Sequence, residues 1–175
     1  MTIVKNKFKE KDVMKFLTES NAIEGVYDAD SLKQARRAWD FIISCPRLTL
    51  ANVLMAHGIM SKNSDLLPEY KGAFRKIPVW IGGREGMEWS KIPKAMDQWI
   101  MNANDLVENG KEESQVFLER TIKSQHIKYE GIHPWVDFNG RCGRLVFLWT
   151  YVTIGLPIKT IYEKDRQDYY KWFRE

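Results

Sequence analysis

Apolar residues recur along most of this chain at the three-to-four-residue interval of helices that bury one face. Val13, Phe16 and Leu17 mark a short amphipathic helix over about residues 9–20, which gives way at Ser20-Asn-Ala-Ile-Glu24-Gly25, with Gly25 as the stop. Ser31, after Asp30, is read as the N-cap of the next helix, whose stripe is Leu32, Ala35, Trp39, Ile42 and Ile43 and which Pro46 closes. A third helix over about 49–60 carries Leu50, Val53, Leu54, His57 and Met60 on one face, with His57 read as a packed helix residue. Met96, Trp99, Ile100, Ala103, Leu106 and Val107 predict a strong helix ending at Asn109-Gly110, and Phe117, Ile122, His126 and Ile127 predict another over about 114–129. The run Leu145–Val152 is apolar on nearly every side, which places a helix in the middle of the fold, closed by Gly155 and Pro157. Tyr169, Trp172 and Phe173 carry a last amphipathic helix over about 165–173.

One stretch changes period. Between Tyr70 and Gly83, Ile77, Val79 and Ile81 alternate with Pro78 and Trp80, flanked by Gly72 and by Gly82-Gly83. This predicts a short hairpin over 70–83 at a sheet edge, because Pro78 cannot donate to an inner ladder. A lone hairpin is marginal by itself, so it must pack on the helices or receive another extended segment. The expected fold is all-α, with about seven to eight helices around a buried central one and a single short hairpin.

Composition narrows the function. The chain of 175 residues has a hydrophobic share of 44% and seven Trp, enough for one ordinary domain with a substantial core. Its 27 basic and 23 acidic residues leave a net charge of +4 without any block of like charge, so anionic ligands are favoured but nucleic-acid binding is not expected. Cys45 and Cys142 are the only cysteines, too few for a disulfide framework or a zinc site. Residues 1–7 lack the apolar core of a secretory signal, and the longest uncharged apolar stretch, Leu145–Ile158, is too short to span a bilayer. A cytoplasmic protein without membrane partners is expected.

The chemistry concentrates in His133-Pro-Trp-Val-Asp137-Phe-Asn139-Gly140-Arg141-Cys-Gly-Arg144, at the mouth of the apolar helix. The first turns of a helix leave N–H groups unpaired at the positive end of its dipole, a ready anion site. Gly140 lets a phosphate approach the backbone, and Arg141 and Arg144, three apart, can reach the same oxygens. Asp137 is placed to hold a Mg²⁺ that bridges those phosphates. His133 titrates near neutrality and can accept a hydroxyl proton as that hydroxyl attacks phosphorus. Together these residues read as nucleotidyl or phosphoryl transfer.

This stretch resembles the motif of the Fic (filamentation induced by cAMP) family, His-Pro-Phe-x-Asp/Glu-Gly-Asn-Gly-Arg-x-x-Arg, at ten of twelve positions. Similarity extends upstream through 123–132, downstream through Gly155-Leu-Pro157, and to Gly72-Ala-Phe-Arg75 with Val79-Trp-Ile-Gly-Gly83, which looks like the family's hairpin flap. The resemblance implies one Fic domain over 1–175 that transfers AMP from ATP, with Mg²⁺, to a hydroxyl side chain of a target protein. It makes His133 the base, Asp137 the metal ligand, Asn139 and Gly140 the α- and β-phosphate nest, and Arg141 and Arg144 the phosphate-binding arginines. Ile77, Val79 and Ile81 of the flap would hold the target segment by strand addition. The family often forms homodimers.

Ser20-Asn-Ala-Ile-Glu24-Gly25 is similar to the family's inhibitory pattern Ser/Thr-x-x-x-Glu-Gly/Asn, which implies an inhibitory helix over 9–27. Glu24 would pair with Arg144 and deny it to the ATP γ-phosphate, and the family sometimes uses that Glu to remove AMP as well. Two residues depart from the motif: Trp135 keeps an aromatic anchor, whereas Phe138 stands where the family has glycine and would clash if that position needs a positive φ. The alternative is therefore a nucleotide-binding regulatory or interaction module with little or no transfer. His133 and Gly140 favour AMP transfer over the phosphotransfer of the Doc-like branch, where Lys replaces that second glycine.

Overall fold

The apolar stripes fold into seven α-helices and one antiparallel hairpin in a computed structural model that describes residues 8–174. The Lys-rich start, 1–7, and residue 175 lie outside the described residues. Helix α1 (Glu10–Ile23) continues past its expected end, because Ala22 and Ile23 are also buried; Ser20 therefore lies inside the helix and Glu24 is its C-cap. The N-cap of α2 (Ala29–Ile43) is Asp28, whose carboxylate accepts the Ser31 N–H at 2.7 Å, so Ser31 is the third helical residue and not the cap. An acid in extended backbone before the first turn satisfies the orphan N–H that a cap must satisfy. A reciprocal capping box of Thr49 and Asn52 opens α3 (Leu50–Met60).

Between α3 and α4 (Ile92–Asn109) lies the hairpin, β1 (Trp80–Ile81) and β2 (Arg84–Glu85), with Trp80 opposite Glu85 and Ile81 opposite Arg84. The Gly86 N–H donates to the Val79 carbonyl at 2.8 Å and lengthens the pairing by one bond. The return strand thus falls after the expected 70–83, and Gly82-Gly83 forms the turn rather than a flank. The cause is tertiary: the Arg75 N–H donates to the Pro134 carbonyl at 3.0 Å, which ties the segment before β1 to the loop ahead of α6 and not to a strand partner.

Ser114 caps α5 (Gln115–Ile132), which packs along α6 (Asn139–Ile154), and a short α7 (Arg166–Lys171) closes the set. Helix α6 is the axis: every residue from Cys142 to Val152 is buried, and α1, α2, α3, α4 and α5 all touch it. Such all-round burial matches its all-round apolar surface, with Arg144 as the exception that matters below. Buried indoles find acceptors, Trp149 at the Cys45 carbonyl (3.2 Å) and Trp135 at the Tyr129 hydroxyl (2.6 Å). Among the described residues no helix is long and apolar enough to cross a membrane.

Asn104 of α4 fastens the α2–α3 connection, accepting the Leu48 N–H at 2.8 Å and donating to the Leu48 carbonyl at 2.9 Å, all buried. Asn104→Leu leaves both backbone groups unpaired and is expected to cost about 3 kcal/mol in urea unfolding.

Candidate active site

Two non-glycine residues with positive φ frame the loop into α6: His133, the C-cap of α5, at φ 50 and Phe138, the N-cap of α6, at φ 68. Between them the Asn139 amide accepts the Trp135 N–H (2.9 Å) and donates to the Trp135 carbonyl (3.0 Å). Asn139 therefore braces the loop with its side chain. Among the described residues no side chain caps α6 by a hydrogen bond, so the N–H groups of its first turn lack intrahelical partners at the positive end of the dipole. Phe138 does adopt the left-handed backbone that the motif's glycine would supply. A left-handed non-glycine residue costs roughly 1–2 kcal/mol, and the ring offsets this by being buried, edge-on to His57 at 6.0 Å and beneath the Arg141 guanidinium at 3.7 Å.

The loop is further held from α3. His57 Nδ1 accepts the Gly72 N–H at 2.9 Å, so Nε2 carries the ring proton and donates to the Asp137 carbonyl at 3.2 Å, while the ring stacks on Trp135 at 4.1 Å. Burial pushes its pKa down to about 4, which keeps that single tautomer at neutral pH. Arg75 acts from the other side: buried before the hairpin, it donates from Nε to the His133 carbonyl (2.7 Å) and from its terminal nitrogens to Ile77 (2.9 Å), Met87 (2.5 Å) and Ile132 (3.4 Å). One guanidinium so joins the base of the hairpin to the backbone of His133.

His133 itself is partly buried. Its Nδ1 faces the Glu130 carbonyl at 3.3 Å and the Glu130 carboxylate at 3.8 Å. An N–H at Nδ1 leaves the Nε2 lone pair free, and burial, with Arg75 adding, holds the pKa below the ordinary histidine value. A neutral imidazole with a free nitrogen is a competent proton acceptor.

Arg144 lies deepest, 1% exposed. Nε donates to Ser20 Oγ (2.9 Å), one terminal nitrogen to the Tyr169 hydroxyl (3.2 Å), and the other to the Ser20 carbonyl (2.9 Å) and Glu24 Oε1 (2.6 Å). Burial opposes its charge, but Tyr169 and Glu24 more than compensate and raise its pKa above the ordinary arginine value. The Glu24 carboxylate rests against Gly140, where a Cβ would collide with it. An internal carboxylate thus occupies the space that the missing side chain leaves at the α6 N-terminus.

Arg141 is turned the other way. Among the described residues its buried Nε has no hydrogen-bond partner, and its terminal nitrogen stands 3.8 Å from Asp137. Asp137, 62% exposed in its side chain, accepts its neighbour's N–H at Phe138 with Oδ1, which leaves Oδ2 available. Among the described residues no three His, Cys, Asp or Glu side chains gather as a metal cage. One exposed carboxylate beside an anion nest nevertheless fits Mg²⁺, which usually takes one or two carboxylates and completes its shell from phosphate and water.

The hairpin residues divide. Ile77 is exposed, whereas Val79 and Ile81 are half-buried against Gly86, and Trp80 is 70% exposed. Among the described residues β1 pairs only with β2, and no strand lies along its other edge. The structure brings together Ser20, Glu24, Gly140 and Arg144, with Arg141 set apart beside Asp137 and Phe138 and His133 on the neighbouring helix end. Sequence reading missed the bracing roles of His57 and Arg75 and the contributions of Glu130 and Tyr169; the available signal was a polar residue at an apolar stripe position, as with His57.

The sequence pattern of the Fic/DOC family matches residues 47–151, and the chain belongs to that family. Ser20, Glu24 and Tyr169 lie outside the matched range. Two relatives named protein adenylyltransferase Fic, from Aedes aegypti and Drosophila grimshawi, are 28% and 24% identical over 130 residues, 73% of this chain. The chain spans about a quarter of their length, 24% and 25% respectively. A Fic domain containing signalling protein from Bacteroides thetaiotaomicron superposes with TM-score 0.73 at 18% identity, over 93% of this chain and 74% of that one. A Fic family protein from Desulfovibrio desulfuricans gives 0.68 at 20% identity, over 92% and 55%. These likenesses establish the mainly helical Fic fold with its hairpin.

Phe138→Gly removes strain worth roughly 1–2 kcal/mol but also a buried ring whose loss costs about 3–5 kcal/mol, so net destabilisation of about 2 kcal/mol is expected in urea unfolding. Acid should weaken the fold through its buried histidines. His57 and His126 are pushed by burial down to about 4 and about 3 from an ordinary 6.5, so below pH 6.5 the unfolded chain binds their protons first. Each contributes a loss of about 1.4 kcal/mol per pH unit. Glu130, pushed by burial up to about 7 from 4.5, has the opposite sign between those values and cancels one of them. Unfolding free energies measured from pH 8 to 4.5 are expected to peak near 6.5 and then fall by at least about 1.4 kcal/mol per unit, His133 adding loss of the same sign.

Proposed function

We propose that this protein is an ATP-dependent protein adenylyltransferase whose arginine site is held shut by Glu24. The observation that carries the reading is Arg144: a buried guanidinium at an uncapped helix N-terminus, bonded by an internal carboxylate where a phosphate would otherwise sit.

In the reaction, a hydroxyl of the target gives its proton to His133 Nε2 as its oxygen bonds the α-phosphorus. The bond from that phosphorus to the bridging oxygen breaks, and pyrophosphate leaves with the electron pair. Arg141 and the first-turn N–H groups of α6 orient the phosphates and offset their charge. Asp137 would hold Mg²⁺, whose charge helps neutralise the polyphosphate. Arg144, freed from Glu24, would bind the γ-phosphate. The open edge of β1 would align an extended target segment near His133, with Ile77 and Trp80 as apolar contacts. The ion pair with Glu24 is only partly shielded, its carboxyl side chain being 33% exposed, so this anion can be displaced.

Incubation with α-labelled and γ-labelled ATP and magnesium tests this. Glu24→Gly is expected to pass α-label, and no γ-label, to protein at least tenfold faster than wild type, and Glu24→Gly with His133→Ala to pass none. ATP-dependent thermal stabilisation without α-label in any variant would replace the transferase by a nucleotide-binding module.

A further inference from the structure

Glu130 sits on α5 one turn before His133, in the place least hospitable to a carboxylate. Its side chain is 11% exposed, and Oε1 is buried without a hydrogen-bond partner. Groups face it from every neighbouring element, yet none is committed to it. His126 Nε2 stands 3.9 Å away but lies 2.8 Å from the Tyr169 hydroxyl of α7, and the nitrogens of Arg144 bond Ser20, Glu24 and Tyr169. Tyr129, Tyr170, Cys142 and the Glu24 carboxylate complete the charged and titratable surroundings. Burial pushes the Glu130 pKa up to about 7, with Arg144 opposing and Glu24 adding.

The opposing helix makes room for this carboxylate and for little else. A Cβ on Gly143 would fall 2.5 Å from Glu130 Oε1 and 2.8 Å from the Tyr129 ring. A buried acid that lacks a dedicated partner destabilises a fold, and replacing it by a neutral isostere is often neutral or stabilising. Its one contact with the chemistry is the 3.8 Å approach of Oε2 to His133 Nδ1, beside the 3.3 Å approach of its own carbonyl to the same atom.

We propose that Glu130 is the positioning residue of His133: its carbonyl accepts the Nδ1 proton and so keeps Nε2 toward the substrate hydroxyl, while its carboxylate, 3.8 Å from the same nitrogen, stabilises the imidazolium formed when Nε2 takes the proton. This rests on His133 acting as the base. Glu130 touches no substrate; it acts through the ring, as an acid that fixes tautomer and orientation does in other histidine-based sites.

NMR titration of the histidine ring protons in wild type and Glu130→Gln tests the coupling without requiring transfer. In wild type the His133 ring is expected to sense a proton near neutral pH as one of a coupled pair; in Glu130→Gln that step vanishes and His133 titrates at lower pH. In the Glu24→Gly background, Glu130→Gln is expected to lower kcat for AMP transfer at least tenfold, with KM for ATP within twofold and Tm not reduced. An unchanged His133 titration, or a lower Tm with unchanged kcat, overturns the proposal and leaves Glu130 structural. If no variant transfers AMP, the transferase reading fails, and the titration alone decides whether Glu130 governs the ring.

Discussion

A guanidinium cannot be taken out of water unless its donors are satisfied, and α6 takes Arg144 into the middle of the fold. The acceptors come from outside that helix: two from Ser20 and one from Glu24 on α1, one from Tyr169 on α7. One side chain of the central helix thereby bonds both α1 and α7. Hydrophobic burial alone would let α1 and α7 slide against α6; this set of bonds fixes their register.

The loop ahead of α6 shows the same economy of polar groups. Its backbone is bent twice through left-handed conformations, at His133 and Phe138, and each bend is held from a distance. Arg75 grips the His133 carbonyl, His57 grips the Asp137 carbonyl, and Asn139 closes the turn across Trp135. Strained backbone persists only where its surroundings over-determine it, and here three side chains from three segments do so. The geometry of the site is therefore set by α3 and the hairpin base as much as by the motif itself.

Most helices were legible because each buries one face, so its period survives in the sequence. The caps were less so: Asp28 and Ser31 are both good cap residues, and only the path of the backbone chooses between them. The hairpin was found but set too early, since the segment before β1 is extended by its bond to Pro134, a contact across more than fifty residues that no local pattern carries. The motif from His133 to Arg144 was legible as a family signature because its residue types and order are specific. Phe138 was read as a departure that could clash, and the fold answers with burial of the ring. Glu130 and Tyr169 stayed hidden because each resembles an ordinary helix residue until α5, α6 and α7 are packed together.

Three of the four hydrogen bonds on Arg144 come from Ser20 and Glu24, which lie in the last turn of α1 and its cap. Fraying of that one turn would withdraw the hydroxyl, the carbonyl and the carboxylate together, a route to a free cation beside displacement of the Glu24 carboxylate alone. A terminal helical turn is the least stable unit of a helix, so slowed amide exchange at residues 20–24 reports whether those three bonds to Arg144 are made.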